Sequence, residues 1–112
     1  MAIKVAFASS DGTSVDAHFG RAENFFVYAV LPDSYEYLEK RSCEPQEPSE
    51  FSLKPRALAL QDCTLIIAQK FGRHAWAVFD PALVELLELE GNILHMLPQL
   101  QKLVRLRRKY HS

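Results

Sequence analysis

Ala8-Ser9-Ser10-Asp11-Gly12-Thr13-Ser14-Val15-Asp16-Ala17-His18-Phe19-Gly20-Arg21-Ala22-Glu23-Asn24-Phe25 is the stretch on which the fold turns. It leaves one apolar run, Ile3 to Ala8, and enters another, Phe25 to Leu31. The first run reads as a strand, closed by Ser9-Ser10-Asp11-Gly12, which is strong turn chemistry. The second, rich in aromatic and β-branched residues, reads as another strand. Pro32-Asp33-Ser34 breaks it, and Tyr35 to Arg41 returns as a third, forming a hairpin.

Beyond the hairpin, Ser42 to Ser52 is polar with two prolines and reads as a surface connection. Pro55 is expected to open a short helix, where its missing N–H costs nothing. Leu53, Ala57 and Leu60 can share that helix's buried face. Cys63 to Ala68 is wholly apolar but for Thr64, the pattern of a central parallel strand. Gly72 to Phe79 is expected to be helical, stopped by Asp80-Pro81. Leu83 to Leu89 fits a buried strand or a helix equally, because period cannot separate the two. Asn92 is a good N-cap for a last helix, whose apolar face is Ile93, Met96, Leu97, Leu100, Leu103 and Val104. Pro98 falls inside it and is expected to kink or split it.

The chain has 112 residues, 48% hydrophobic and 24% charged, with a net charge of −1. That is the composition of one globular domain, residues 1–112. The charge gives no global attraction to nucleic acid or to an acidic membrane. No apolar run approaches the ~20 residues that cross a bilayer. Met1-Ala2-Ile3-Lys4-Val5 lacks the apolar core of a signal peptide, so a cytoplasmic protein is expected. Cys43 and Cys63 form neither a C-x-x-C pair nor a disulfide framework. The C-terminal segment carries Lys102, Arg105, Arg107, Arg108 and Lys109, with no acid after Glu90. It reads as a solvated helix end or a docking patch for an acidic partner.

The quoted stretch, with its Asp-Gly turn and His18-Phe19-Gly20-Arg21-Ala22 running into an aromatic strand, resembles the first loop of the dinitrogenase iron-molybdenum cofactor binding family. That family includes NifX-type and NafY-type carriers and the C-terminal domain of the NifB type. Gly72-Arg73-His74-Ala75, followed by Phe79, is similar to the family's Gly-x-x-Ala helix. Asp62-Cys63 precedes the fourth strand, as members often have it. The resemblance spans Ile3 to Leu89. It implies an α/β, ribonuclease-H-like fold: a mixed five-stranded sheet flanked by helices. It also makes Leu83 to Leu89 the fifth strand. One departure is at Cys43, followed by Glu44-Pro45-Gln46 where many members carry a glycine pair.

His18 is the foremost candidate ligand. A neutral imidazole binds iron and related metals, and the resemblance assigns this position to cofactor contact. The bland alternative is a histidine that only hydrogen-bonds its own loop. Gly20 would supply backbone freedom or close approach, and Phe19 reads as a packing anchor. Arg21 has a forked, permanent charge suited to a carboxylate or an anionic cluster; a salt bridge with Glu23 or Asp16 is the alternative. Ser9, Ser10 and the amides near Gly12 could donate to an anion. Topology adds others: ligands in open α/β sheets bind at the carboxyl ends of the parallel strands. His74, in the helix after the fourth strand, would reach that edge, and Cys43, after the third, would lie near it as a soft thiolate. Cys63 begins the fourth strand at the opposite edge and reads as a small buried hydrophobe. His95 and His111 read as surface residues.

Three functions compete. The first is a non-enzymatic carrier for the iron–molybdenum cofactor or an iron–sulfur precursor cluster. Its partners would be cofactor-biosynthesis or nitrogenase proteins, with neither nucleic acid nor membrane involved. The second, a nuclease, needs clustered carboxylates holding two metal ions, and Ile3 to Phe7 has none; Asp11 and Asp16 stand in the loop. The third is an interaction protein of the same fold that has lost cofactor binding.

Overall fold

The computed structural model describes residues 2–44 and 50–111. In chain order the elements are β1 (Ile3–Ala8), β2 (Ser14–Val15), β3 (Asn24–Val30), β4 (Tyr35–Ser42), α1 (Glu50–Ala59), β5 (Leu65–Ala68), α2 (Arg73–Val78), β6 (Glu85–Glu88), β7 (Gly91–Asn92) and α3 (Ile93–His111). The main sheet has five strands in the order β4-β3-β1-β5-β6. β1 pairs parallel with β5 and antiparallel with β3; β5 pairs parallel with β6. β4 is antiparallel to β3. β1, β4, β5 and β6 therefore end at one edge of the sheet. β2 and β7 form a small second sheet.

The sheet is covered on both faces, which is why its centre is so apolar. Ala6, Phe25, Val27, Ile66 and Ala68 meet Leu53 and Ala57 of α1, Leu60 just past its end, and Ala75 of α2. Val5, Phe7, Leu65 and Ile67 meet Ile93, Leu97, Leu100 and Val104 of α3. β1 and β5, both interior strands, are buried on both sides, as strands of a parallel core are.

Leu83 to Leu89 resolves as a strand over Glu85–Glu88, in register with β5 from Leu65 opposite Glu85 to Ala68 opposite Glu88. Leu83 and Val84 belong instead to a turn held by the Asp80 carbonyl. The two prolines resolve as follows. α1 starts at Glu50, ahead of Pro55, because Leu53 must lie on the same helical face as Ala57 and Leu60 to be buried. α3 is not split at Pro98, which lies on its exposed side, where water can satisfy the carbonyl that loses its partner. Leu103 is only half-buried, while Val104 is fully buried. Of the polar connection from Ser42 to Ser52, Ser42 closes β4, Glu50 to Ser52 are helical, and residues 45–49 lie outside the described residues. Asn92 caps α3 as expected: its Oδ1 accepts from the His95 N–H at 3.2 Å.

Candidate functional site at the carboxyl edge of the sheet

The loop between β1 and β3 is ordered by its own polar side chains. Ser9 is 1% exposed, and its Oγ accepts from the Gly12 N–H at 2.9 Å. Asp11 Oδ1 accepts from the Thr13 N–H at 2.9 Å, and the amides there hold its carboxyl below the usual range. Gly12 has φ +82°, and a Cβ there would stand 2.8 Å from the Phe26 ring. Glycine is required on both counts. Asp16 takes the Ser10 N–H at 2.9 Å and the Ser10 hydroxyl at 2.5 Å.

The second half of the loop is stitched to the exit of β5. The Gln69 N–H donates to the Ala17 carbonyl and the Phe19 N–H to the Lys70 carbonyl, both at 2.9 Å. His18 and Lys70 thereby form an isolated parallel bridge just beyond the end of β5. The His18 carbonyl then accepts from the amides of Arg21 and Ala22, closing a tight turn. Phe19 is fully buried among Phe25, Phe71 and Phe79, with ring centroids 5.4–5.6 Å away. It anchors the turn, while His18 on its outer side is exposed.

Arg56 of α1 holds the same turn from beneath, and sequence reasoning missed it. It is 2% exposed. Nη1 donates to the carbonyls of Phe19 at 3.3 Å and Ala22 at 2.5 Å, and Nη2 donates to that of Glu44 at 2.7 Å. Its only sequence signal was its place between Leu53 and Leu60 on an apolar face.

A cleft of about 190 Å³ opens over this turn, lined by His18, Gly20, Arg21, Lys70, Gly72 and His74 among others. Leu53 and Ala75 complete its described wall, so no described carboxylate lines it. His18, Gly20, Arg21 and His74 are thus brought together at the edge that the strand directions require. Ser10 is not among them. It lines a neighbouring hollow that shares Arg21, with its hydroxyl and amide both given to Asp16. Cys43 is half-buried against the core, its N–H on the Glu23 carbonyl at 2.8 Å, and does not line the cleft. Burial raises its thiol pKa, opposed by nearby Arg56. Among the described residues, no three His, Cys, Asp or Glu side chains converge as a metal site. Asp11 and Asp16 are each engaged in the loop's own hydrogen bonds.

Cys63 precedes β5 at the opposite end of the sheet and is 1% exposed. Nearby, Asp62 is bound by Arg41 at 2.6 and 2.8 Å and by Lys4 at 3.0 Å. Arg41 above all holds that carboxyl well below its ordinary range. Burial first, then Asp62, pushes the Cys63 thiol up to about 11. The native state thus keeps its proton where an unfolded thiol, near ~8.5, has lost it. This contribution to stability is complete below about pH 8.5 and is lost as pH rises toward 11. A disulfide reagent at pH 8 should therefore leave Cys63 unmodified in the folded protein and modify it on unfolding. Rapid native labelling of Cys63, located by peptide mass mapping, would contradict its burial.

A sequence model of the family described as dinitrogenase iron-molybdenum cofactor matches residues 1–103. The chain belongs to the dinitrogenase iron-molybdenum cofactor family. Within and around this family, the chain is similar to the NifX protein of Herbaspirillum seropedicae, at 31% identity over 74 residues, 63% of this chain and 51% of that protein. It is similar to the FeMo cofactor biosynthesis protein NifB of Chlorobaculum tepidum at 25% identity, over 80% of this chain and 22% of that one. The chain spans about half or less of the length of these relatives. In fold it is similar to the crystal structure of PH0822, with a TM-score of 0.71 at 18% identity, covering 89% of each chain. It also matches MJ0327 of Methanocaldococcus jannaschii, with a TM-score of 0.62 at 12% identity, covering 93% and 92%. No helix among the described residues is long and apolar enough to cross a membrane.

Proposed function

We propose that this family domain is a non-enzymatic carrier, in the cytoplasm, for the iron–molybdenum cofactor or an iron–sulfur precursor cluster. The observation that carries the reading is the cleft lined by His18, His74, Arg21 and Lys70, with no described carboxylate on its wall. The donor set suits such a cargo. Imidazole nitrogen binds iron, and two cations suit an anionic cluster and any carboxylate it carries. At about 190 Å³ the cleft is smaller than the ~300 Å³ at which enclosing ligand pockets begin. It would grip one end of a cluster and leave the rest outside, as a protein that must pass its cargo on requires. The recipients would be cofactor-biosynthesis or nitrogenase proteins, a role supported by the naming of the NifB relative. The strand order β4-β3-β1-β5-β6 supports the ribonuclease-H-like description of the fold.

The test is anaerobic. The protein is mixed with isolated iron–molybdenum cofactor or with a precursor cluster, passed through gel filtration, and assayed for iron and molybdenum in the protein peak. Retention of one cluster per chain is expected. Loss of both clusters on the column would favour the interaction protein that has given up its cargo.

A further inference from the structure

Arg56 is a buried cation that no described anion answers. Its side chain reaches from α1 under the His18 turn and is 2% exposed. Its hydrogen bonds go to neutral carbonyls, those of Phe19, Ala22 and Glu44. No ion pair joins it to a described carboxylate. Its Nε, also buried, has no hydrogen-bond partner. Burial pulls its pKa down, and the one described ionisable group acting against this is the Cys43 thiol. Burial also raises the pKa of that thiol, so it keeps its proton and brings no negative charge.

Carbonyls satisfy the N–H groups of a guanidinium but leave its unit charge in place. Desolvating a cation is costly, and folded proteins usually pair a charge that they bury. A counter-charge that the chain does not supply can come from a ligand. The position of Arg56 says where that ligand would sit. The carbonyls of Phe19 and Ala22 bracket Gly20 and Arg21, which line the His18 cleft. Leu53, three residues before Arg56 and on the same side of α1, is part of the same wall. The guanidinium thus lies behind the wall of the cleft, in an interior that screens its charge less than water does. Lys70 lines the cleft itself, and no described carboxylate does.

We propose that Arg56 is a specificity-determining residue of the His18 cleft: its buried charge makes the cleft select the anionic end of a cargo, which supplies the missing counter-charge. It acts through the wall, by charge rather than by contact. The proposal rests on the carrier reading of the same cleft and gives the guanidinium a role beyond holding the turn.

Arg56→Lys and Arg56→Met separate the two roles. Lysine keeps the charge but lacks the planar fork that reaches three carbonyls, so both variants should melt below the wild type. Binding should follow charge, not melting temperature. The titrations use isolated iron–molybdenum cofactor, anaerobically, at a temperature where circular dichroism shows all three proteins folded. Arg56→Met should bind about tenfold more weakly than the wild type, and Arg56→Lys within about threefold of it. A second probe works without the cargo. Inorganic phosphate, titrated by NMR, should shift the amide signals of Gly20, Arg21 and Gly72 in the wild type and in Arg56→Lys, and bind more weakly to Arg56→Met. That pattern with phosphate, without cofactor binding, would remove the carrier reading and leave the anion selection standing. Affinities that fall in step with the melting temperatures of the two variants would overturn the proposal, because a residue that only holds the turn would act so. Equal affinity of all three proteins for both probes would overturn it too, as would a wild type that binds neither.

Discussion

Phe19→Ala should cost about 3–5 kcal/mol of stability, the range for truncating a buried aromatic. Phe19 is fully buried, and three phenylalanine rings from β3, the β5 exit and the end of α2 close around it. Those neighbours belong to different elements and cannot all collapse into the space, so most of the cavity remains. Aromatic pairing adds to the loss. At about 4 °C or more per kcal/mol for a domain near this size, melting should fall by more than about 10 °C. Thermal denaturation followed by circular dichroism measures it. A loss below about 1 kcal/mol would show that the His18 turn is not anchored by this ring.

Arg56→Met should cost about 3 kcal/mol, and here two effects oppose each other. Burial pulls the Arg56 pKa down, the mark of a cation kept from water, and removing that charge is favourable. Its Nε has no hydrogen-bond partner. Against this, the carbonyls of Phe19 and Ala22 lose their buried donor, and each orphan costs ~1–3 kcal/mol. The orphans should win, because methionine fills the volume but donates nothing. Urea titration should show a lower midpoint. Hydrogen exchange should show the Arg21 and Ala22 amides opening before those of β1 and β5. A variant as stable as the wild type would mean that desolvation of the guanidinium outweighs its three bonds.

What the sequence revealed, and what it hid, divides along physical lines. Leu65-Ile66-Ile67-Ala68 is legible as a central strand because burial on both faces leaves no room for polar residues. Tyr35 to Arg41 is legible because a turn precedes it and a polar, proline-bearing connection follows it. Pro55 misled because proline favours a first helical turn, yet the burial of Leu53 outweighed one lost hydrogen bond. The pairing of β2 with β7 had no local signal. It joins two-residue segments far apart in the chain and depends on Gly91 at φ +127°. In the site, the His18 turn was visible as a motif, and His74 joined it through strand direction alone. Cys43 and Ser10 were candidates for the same site, but sequence does not tell which way a side chain is spent. One is packed against the core and the other is bound to Asp16. Arg56 was hidden because an arginine on an apolar face ordinarily extends to solvent.

The measurement that bears most directly on the carrier reading is a parallel anaerobic titration of wild type, His18→Ala and His74→Ala with isolated iron–molybdenum cofactor, followed spectroscopically, with thermal melts of all three. His18 is exposed and His74 half-buried at the cleft, so truncation leaves no large cavity in the core. The account predicts that His18→Ala binds at least about tenfold more weakly, a loss of ~1.4 kcal/mol, with an unchanged melting temperature. His74→Ala should be weakened in the same direction. Wild-type affinity in both variants, with equal melting, would contradict the placement of the cargo in this cleft.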